Sequence, residues 1–220
     1  MANPWVWDNQ RHRYRNTRTG RFLGPKAMLE LRDRFISAMS DQVNGLARRL
    51  ASGDLSVAEW EAEMRRQVKT MLLDQYIMAR GGRRMMSPSD WGQLGQMLRA
   101  QYKYLDGFAK DIESGRYTVA DPDGNERLSL DAIAARANLY MNAGTAAFER
   151  GKARSYGVPS LPCYPGDGST ACLTNCHCSW SIEETEDGWD CTWMLGEAEH
   201  CEDCEARARE YAPLHIAREE

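Results

Sequence analysis

All the cysteines of this chain lie between residues 163 and 204, and most of them fall in two short runs, CLTNCHC and HCEDC. A C-x-x-C pair places both sulphurs on one side of a metal ion, and further cysteines some twenty residues away complete a tetrahedral thiolate site. The spacing therefore predicts a small metal-stapled unit near the end of the chain. Its candidate ligands are Cys172, Cys176, Cys178, Cys201 and Cys204.

Metal ligation, free core thiols and disulfides are the three roles open to these cysteines. The start, MANPWVWDNQRHRYR, has no apolar core of a secretory signal, and no apolar run approaches the roughly 20 residues that span a bilayer. We therefore expect that the chain is synthesised in a reducing cytoplasm and does not associate with a membrane. An odd number of clustered cysteines in that compartment favours metal ligation over a disulfide framework.

Five thiols compete for the four positions around a tetrahedral zinc ion. Cys201 and Cys204 have the C-x-x-C spacing and are the strongest candidates. For the other two positions we favour Cys172 and Cys176, because C-x-x-x-C spans a turn comfortably. Cys178 is close behind, since C-x-C side chains point the same way only from an extended backbone.

The remaining cysteines and histidines of this region have other expected roles. Cys163 and Cys191 are expected to pack in the core. His177 and His200 are expected beside the ligands or on the surface rather than on the metal. A zinc ion with four thiolates has no position left for water or substrate, so Zn²⁺ here is expected to be structural.

Enzymatic motifs are missing from the sequence. It contains no Gly-rich phosphate loop of the Walker type and no Ser-centred nucleophile elbow. A cysteine nucleophile would need an activating histidine, and ligation is the better account of thiols in such a cluster. A metal nuclease would need His and Asp on an oxygen-loving metal, but His12 and His215 lie at opposite ends of the chain. We expect no enzymatic activity.

Apolar residues recur at three- and four-residue steps in four stretches that begin near Pro25, Ser56, Ser87 and Ser129. Proline suits the first helical turn, and serine is a common helix N-cap. We therefore predict a mainly α fold with a helical domain at residues 25–154. The domain is expected to be a bundle of about four helices, the first two forming an antiparallel pair.

Two segments interrupt this helical pattern. DPDGN is a strong turn signal and predicts a hairpin insertion over residues 116–128. The Pro- and Gly-rich stretch YGVPSLPCYPGDGS begins a cysteine-rich module with an acidic tail, residues 155–220. We expect this module to be zinc-ribbon-like, with a short β excursion between its cysteine runs, and to be too small for a core of its own.

The first residues, 1–24, predict an extended basic arm. RHRYR alternates charged and aromatic side chains and TRTG offers a turn, so a small hairpin or a strap is expected. An isolated hairpin is marginal in water, so its aromatic residues should pack on a partner or on the protein body. Arginine and aromatic side chains are common interface anchors. The expected interface residues are Trp5, Trp7, Arg11, Arg13, Tyr14, Arg15, Arg18, Arg21 and Phe22.

The net charge of −4 hides two ends of opposite sign. Residues 1–34 hold eight lysines and arginines against three acids, whereas residues 183–220 hold thirteen acids against three arginines. A basic arm can bind nucleic acid or an acidic protein face, and an acidic end repels phosphate. Both ends can also serve only as solvated surface.

Several stretches together resemble tailed-phage head morphogenesis, or minor capsid, proteins, and the match covers most of the chain. They are WDNQRHRYRNTRTGRFLG, ARGGRRMMSPSDWGQLGQMLRAQYKYLDGFAKDI, ANLYMNAGTAAFERGKA and GDGSTACLTNCHCSW. The chain departs from the family pattern in placing HCEDC after CHC and in carrying His177 where a basic residue is usual.

This resemblance implies a structural virion protein that acts at the head or portal vertex by protein-protein assembly. Its implied partners are other phage structural proteins, namely portal, major capsid or connector proteins, and the chain would be multimeric in the particle. The alternative is a nucleic-acid-binding zinc-ribbon protein, for which the basic arm speaks and the acidic module speaks against. In either case the arm could also contact packaged DNA.

Overall fold

The structure is a computed structural model that describes residues 4–121 and 123–218. The predicted arm, hairpin and acidic tail also reach residues 1–3, 122 and 219–220, which lie outside this part of the chain. The helices are α1 (Pro25–Ala51), α2 (Val57–Arg80), α3 (Pro88–Glu113), α4 (Leu130–Asn142), α5 (Gly144–Ser155) and α6 (Glu202–Glu210). The strands are β1 (Trp5–Asp8), β2 (Arg13–Asn16), β3 (Thr118–Ala120), β4 (Glu126–Leu128), β5 (Ser179–Glu184), β6 (Gly188–Met194) and β7 (Leu214–Ala217).

These elements confirm the prediction of a mainly α protein, and the strands form small antiparallel sheets. β1 pairs with β2, β3 pairs with β4, and β5, β6 and β7 form a three-stranded sheet in that order. The hairpin predicted over 116–128 is present as β3 and β4. None of the described helices has the length and apolar character needed to cross a membrane.

The helix ends lie close to where the sequence predicts them. Ser56 and Glu59 form a capping box at the start of α2, and Ser87 and Asp90 form another at the start of α3. α2 ends at Gly81, whose φ of +97° is left-handed and suits a residue without a side chain.

Helix α2 lies at the centre of the first hydrophobic core. It packs against α1, α3 and α5, while α1 also packs against α4. Trp60 on α2 is fully buried and meets the Phe108 ring of α3 edge-on, with 5.2 Å between ring centroids. The apolar stripes that predict these helices are thus the surfaces that they bury.

The fourth helical stretch differs from the prediction. One helix is expected from the stretch that begins near Ser129, but the structure contains α4 and α5, separated at Ala143. At the start of α5, a Cβ atom on Gly144 would lie 2.6 Å from the sulphur of Met71. A Cβ atom on Gly151 would lie 2.5 Å from the backbone oxygen of Tyr76. The break therefore accompanies an unusually close approach of α5 to α2.

The C-terminal module contains a second hydrophobic core, contrary to the expectation that it would have none. The β excursion between the cysteine runs is present as β5 and β6, where Trp180 pairs with Trp193 across the strands. Their rings meet edge-on at 5.3 Å, and Trp189 lies in the same buried cluster. Helix α6 and strand β7 complete the module and lack a clear signal in the sequence.

The arm folds back onto the protein's own helices as a hairpin of β1 and β2. Trp7 pairs with Tyr14 across the strands, and the Trp7 ring occupies the space where a side chain on Gly81 would lie. The Tyr14 hydroxyl donates to the backbone oxygen of Met78 at 3.0 Å. The turn predicted at TRTG is confirmed. The chain reverses direction there, and Phe22 forms an antiparallel bridge with Arg15 of β2.

Candidate metal centre

The two cysteine runs meet at one end of the C-terminal module. The first run lies in the loop before β5, and the second lies at the start of α6, where Cys201 is the N-cap and Cys204 is in the first turn. Asp203 accepts a hydrogen bond from the backbone N–H of Ala171 at 2.8 Å, which fixes α6 against the first run. The fold thus brings together all five predicted ligands, and these cysteines can hold a metal ion.

The sulphur atoms form two groups of three that share Cys204. We call Cys172, Cys201 and Cys204 the outer triad, and Cys176, Cys178 and Cys204 the inner triad. Within each triad all sulphurs lie within 4.8 Å of one another. The Cys204 sulphur lies 3.8 Å from that of Cys172 and 3.7 Å from that of Cys176. Zinc–sulphur bonds of about 2.3 Å place tetrahedral ligands about 3.8 Å apart, so these spacings suit zinc.

The two triads differ in their exposure to solvent. Cys176, Cys178 and Cys204 are buried, with at most 4% of their surface exposed, whereas Cys172 and Cys201 are only partly buried. The inner triad is therefore closed off by protein, and the outer triad borders the surface.

His200 lies beside the inner triad. Its Nδ1 atom is 3.8 Å from the Cys178 sulphur, and its Nε2 atom is 3.0 Å from the backbone oxygen of Gly196. A carbonyl oxygen only accepts, so Nε2 carries the proton and donates, leaving the Nδ1 lone pair facing the thiols. Histidine ligands of metals are commonly held in this way. His177, by contrast, is exposed, as expected.

The pKa values of these thiols are shifted by burial and by the neighbouring sulphurs. Burial raises the pKa of Cys204, and its sulphur neighbours raise it further. Contact with Cys178 and burial both raise the pKa of Cys176. For Cys201, burial acts in the same upward direction, but hydrogen bonds from the backbones of Cys204 and Cys172 outweigh it and lower the pKa to about 7. A bound dication would remove the penalty on the crowded thiolates.

The other two cysteines lie outside both triads and have the packing role predicted for them. Cys163 and Cys191 are buried in the second hydrophobic core. Burial raises the pKa of the Cys191 thiol to about 11, which is the behaviour of an inert core thiol.

The arm forms a second surface of interest. Its aromatic residues Trp7 and Tyr14 contact the protein's own α2, and burial raises the pKa of Tyr14 to about 12. Trp5 lines a cavity of about 470 Å³ between the arm and α1. The guanidinium carbon of Arg11 lies over the Phe22 ring, 5.0 Å from the centroid of that ring.

The arm arginines face solvent. They are Arg11, Arg13, Arg15, Arg18 and Arg21, and all of them are exposed. Among the described residues, none of these arginines forms an ion pair with an aspartate or glutamate. Among the predicted interface residues, Trp7 and Tyr14 are thus directed inward, whereas the arginines are exposed to solvent.

Comparisons of the chain with family models, with curated proteins and with solved structures gave no match. The basis for a functional conclusion is therefore the thiol cluster, the outward arginines and the sequence resemblance described above. The thiol cluster and the exposed arginines are features of the structure, whereas the resemblance to phage proteins is a feature of the sequence.

Proposed function

We propose that this chain is a structural virion protein of a tailed phage, a minor capsid or head morphogenesis component without enzymatic activity. In this proposal the cysteine cluster holds structural Zn²⁺ and makes residues 155–220 a zinc-ribbon-like module. The observation that carries the metal assignment is the spacing of 3.7 and 3.8 Å from the Cys204 sulphur to its neighbours. The sequence resemblance supports the phage assignment.

The chemistry of the donors suits zinc better than metals that prefer oxygen ligands. Thiolates select soft or borderline cations, and tetrahedral sulphur sites are typical of zinc or iron–sulphur centres. The ligands come from two distant runs of the chain, so one ion ties the loop before β5 to the start of α6. Such a site adds its binding free energy to folding.

The remaining parts have complementary roles in this proposal. Residues 25–154 form a helical bundle that provides a rigid body. The arm, residues 1–24, and the module provide surfaces for protein-protein contacts at the head or portal vertex. The outward arginines of the arm suit an acidic face on a portal, major capsid or connector protein. Several copies would be incorporated into each particle after synthesis in the host cytoplasm.

Quantitative mass spectrometry of purified phage particles tests the phage assignment. The chain should be present at a fixed number of copies per particle, and enriched relative to the infected-cell lysate. A chain that occurs in the lysate but not in the particle would contradict a virion role.

Nucleic-acid binding is the second candidate function, and the outward arginines favour it. Phosphate contacts release counterions, so binding to DNA through these residues should weaken steeply as salt rises. We would measure binding of duplex DNA at several salt concentrations, with the arm arginines replaced in a matched variant. A steep salt slope that the variant loses would favour this function over a purely protein-protein role.

A further inference from the structure

The metal centre gathers more donors than one tetrahedral ion can use. Five thiols lie together, and the Nδ1 atom of His200 is 3.8 Å from the sulphur of one of them, Cys178, whereas zinc in structural sites takes four ligands. Cys178 is the clearest surplus donor, because it is 1% exposed and its sulphur lies near both the other inner-triad thiols and the Nδ1 atom of His200. A surplus of buried, metal-binding side chains requires a physical explanation.

The positions of the sulphurs suggest one. Four ligands of a single ion should all be about 3.8 Å from one another. The five described thiols instead form two sets of three, and the sets do not merge into one group of four within 4.8 Å. Cys204 belongs to both sets and lies at ligand spacing from a member of each.

We propose that the cluster binds two zinc ions that share the Cys204 thiolate as a bridging ligand. This inference rests on the proposed zinc site and extends it. The inner ion is held by the inner triad, Cys176, Cys178 and Cys204. His200, whose Nδ1 atom is 3.8 Å from the Cys178 sulphur but lies outside the 4.8 Å group of all three thiols, becomes the fourth ligand by shifting toward the ion. The outer ion is held by the outer triad, Cys172, Cys201 and Cys204, and solvent fills its fourth position at the surface.

The arrangement of His200 supports the inner site. Its Nε2–H bond to the Gly196 carbonyl fixes the ring so that the Nδ1 lone pair faces Cys178. Three thiolates and one histidine are an established ligand set for structural zinc. His200 is thus the protein group best placed to complete the inner site, whose three thiols are buried.

Charge balance supports the second ion. One dication with four thiolates leaves two negative charges, and the fifth thiol and the imidazole stay unused in a buried place. Two dications with five thiolates leave only one negative charge. Because burying uncompensated charge is costly, the two-ion state suits the interior better.

Native mass spectrometry of the full chain, purified and loaded with zinc alone, counts the ions directly. Two zinc ions per chain are expected after exchange into metal-free buffer, which removes weakly held metal without competing for thiolate ligands. One ion per chain would overturn the bridged pair but leave the proposed structural zinc intact. A chain without zinc would overturn both.

Variants locate the second ion. Cys178→Ser and His200→Ala should each reduce the count from two to one, because both remove ligands of the inner site only. Cys191→Ala is the matched control, since it removes a buried thiol outside both triads, and its count should stay at two. A count of two in both ligand variants would overturn the proposal.

Cadmium-113 substitution tests the bridge itself. Two cadmium ions that share the Cys204 sulphur should give two resonances, each split by scalar coupling to the other ion. Two unsplit resonances would show separate sites and overturn the shared ligand, and this outcome does not depend on any variant's folding.

Discussion

The backbone N–H of Trp180 donates a hydrogen bond of 2.9 Å to the Oε2 atom of Glu149. Trp180 belongs to the core of the cysteine-rich module and Glu149 to helix α5, so this bond joins the two parts of the protein. Glu149 is fully buried and is also paired with Lys152 at 2.6 Å and with Arg32 at 3.5 Å. The Glu149 carboxylate thus lies between two basic groups at the junction, and Arg32 has a second acidic partner in Asp33 at 2.7 Å.

Glu149→Gln should therefore strongly destabilise the protein. The amide keeps the shape of the side chain but leaves Lys152 without its counter-charge, and it leaves the buried Arg32 with only the exposed Asp33, at 2.7 Å, as an acidic partner among the described residues. Removing one partner of a buried ion pair costs about 3 to 5 kcal/mol. Urea unfolding would measure the loss. The matched control is Glu205→Gln, whose exposed pair with Arg209 should contribute less than about 1 kcal/mol. Equal losses in the two variants would contradict this role.

Removal of metal should unfold the module and leave the helical core largely intact. Cys204 belongs to both triads, so Cys204→Ser removes the ligand that both sets share. Near-ultraviolet circular dichroism should lose the signal of Trp180 and Trp193, while far-ultraviolet helicity changes little. The same change is expected when a strong chelator is added to the unaltered chain. A thermal unfolding curve that is unchanged by the chelator would contradict a structural metal.

Gly81→Ala should detach the arm. The position has a φ of +97°, and an added methyl group would overlap the Trp7 ring. Gly53→Ala is the matched control, because Gly53 has a similar φ of +82° but open space around it. Both variants carry backbone strain of about 1 kcal/mol, and only the first should speed tryptic cleavage at the arm arginines. Equal cleavage rates would show that the arm is not held through Trp7.

Gly151→Ala should destabilise the packing of α5 on α2, because its Cβ atom would lie 2.5 Å from the Tyr76 backbone oxygen. Gly107→Ala provides the control within a helix. No atom lies within 4 Å of the added methyl there, so the change should stabilise α3 by up to about 1 kcal/mol. Thermal unfolding should therefore shift in opposite directions, and a shift in the same direction would contradict the close helix contact.

His215 on β7 pairs with Asp190 on β6, and its contribution to the free energy of unfolding should depend on pH. A hydrogen bond with Asp190, at 2.9 Å, raises the pKa of His215, and the nearby Asp187 carboxylate adds to this shift. Its folded pKa is above the unfolded one, so its stabilising effect is fully present below the unfolded pKa. The effect disappears as pH rises through the folded pKa.

The melting temperature of the unaltered chain should therefore exceed that of His215→Gln most at about pH 5.5 and least at about pH 8.5. Taking the difference between the two chains cancels the acid sensitivity of the metal centre, which both share. A difference that grows as pH rises would contradict the assigned interaction.

The helices were largely predictable, because the residues that determine where a helix forms and begins are close to one another in the sequence. Apolar spacing fixes which face is buried, and Ser56 and Ser87 mark helix starts through bonds to residues three positions on. The break at Ala143 was missed, since it accompanies contacts of Gly144 and Gly151 with α2, and such contacts leave no local signal.

The cysteines of the candidate site could be predicted from the sequence, but their arrangement in space could not. Spacing identified all five thiols, while the sharing of Cys204 and the position of His200 depend on how α6 docks. The second core was missed for a related reason. Trp180, Trp189 and Trp193 bury one another only after β5 and β6 have paired, and a short irregular stretch of sequence does not show this.

The inward direction of Trp7 and Tyr14 has a consequence for any assembly that uses the arm. With its aromatic side already committed to α2, the hairpin can meet a neighbour chiefly through exposed guanidinium groups. Contacts between exposed charges are screened over about 8 to 10 Å at ordinary salt, whereas buried aromatic contacts are not. An association formed through this face would be readily reversible, and concentrated salt would dissociate it into intact subunits.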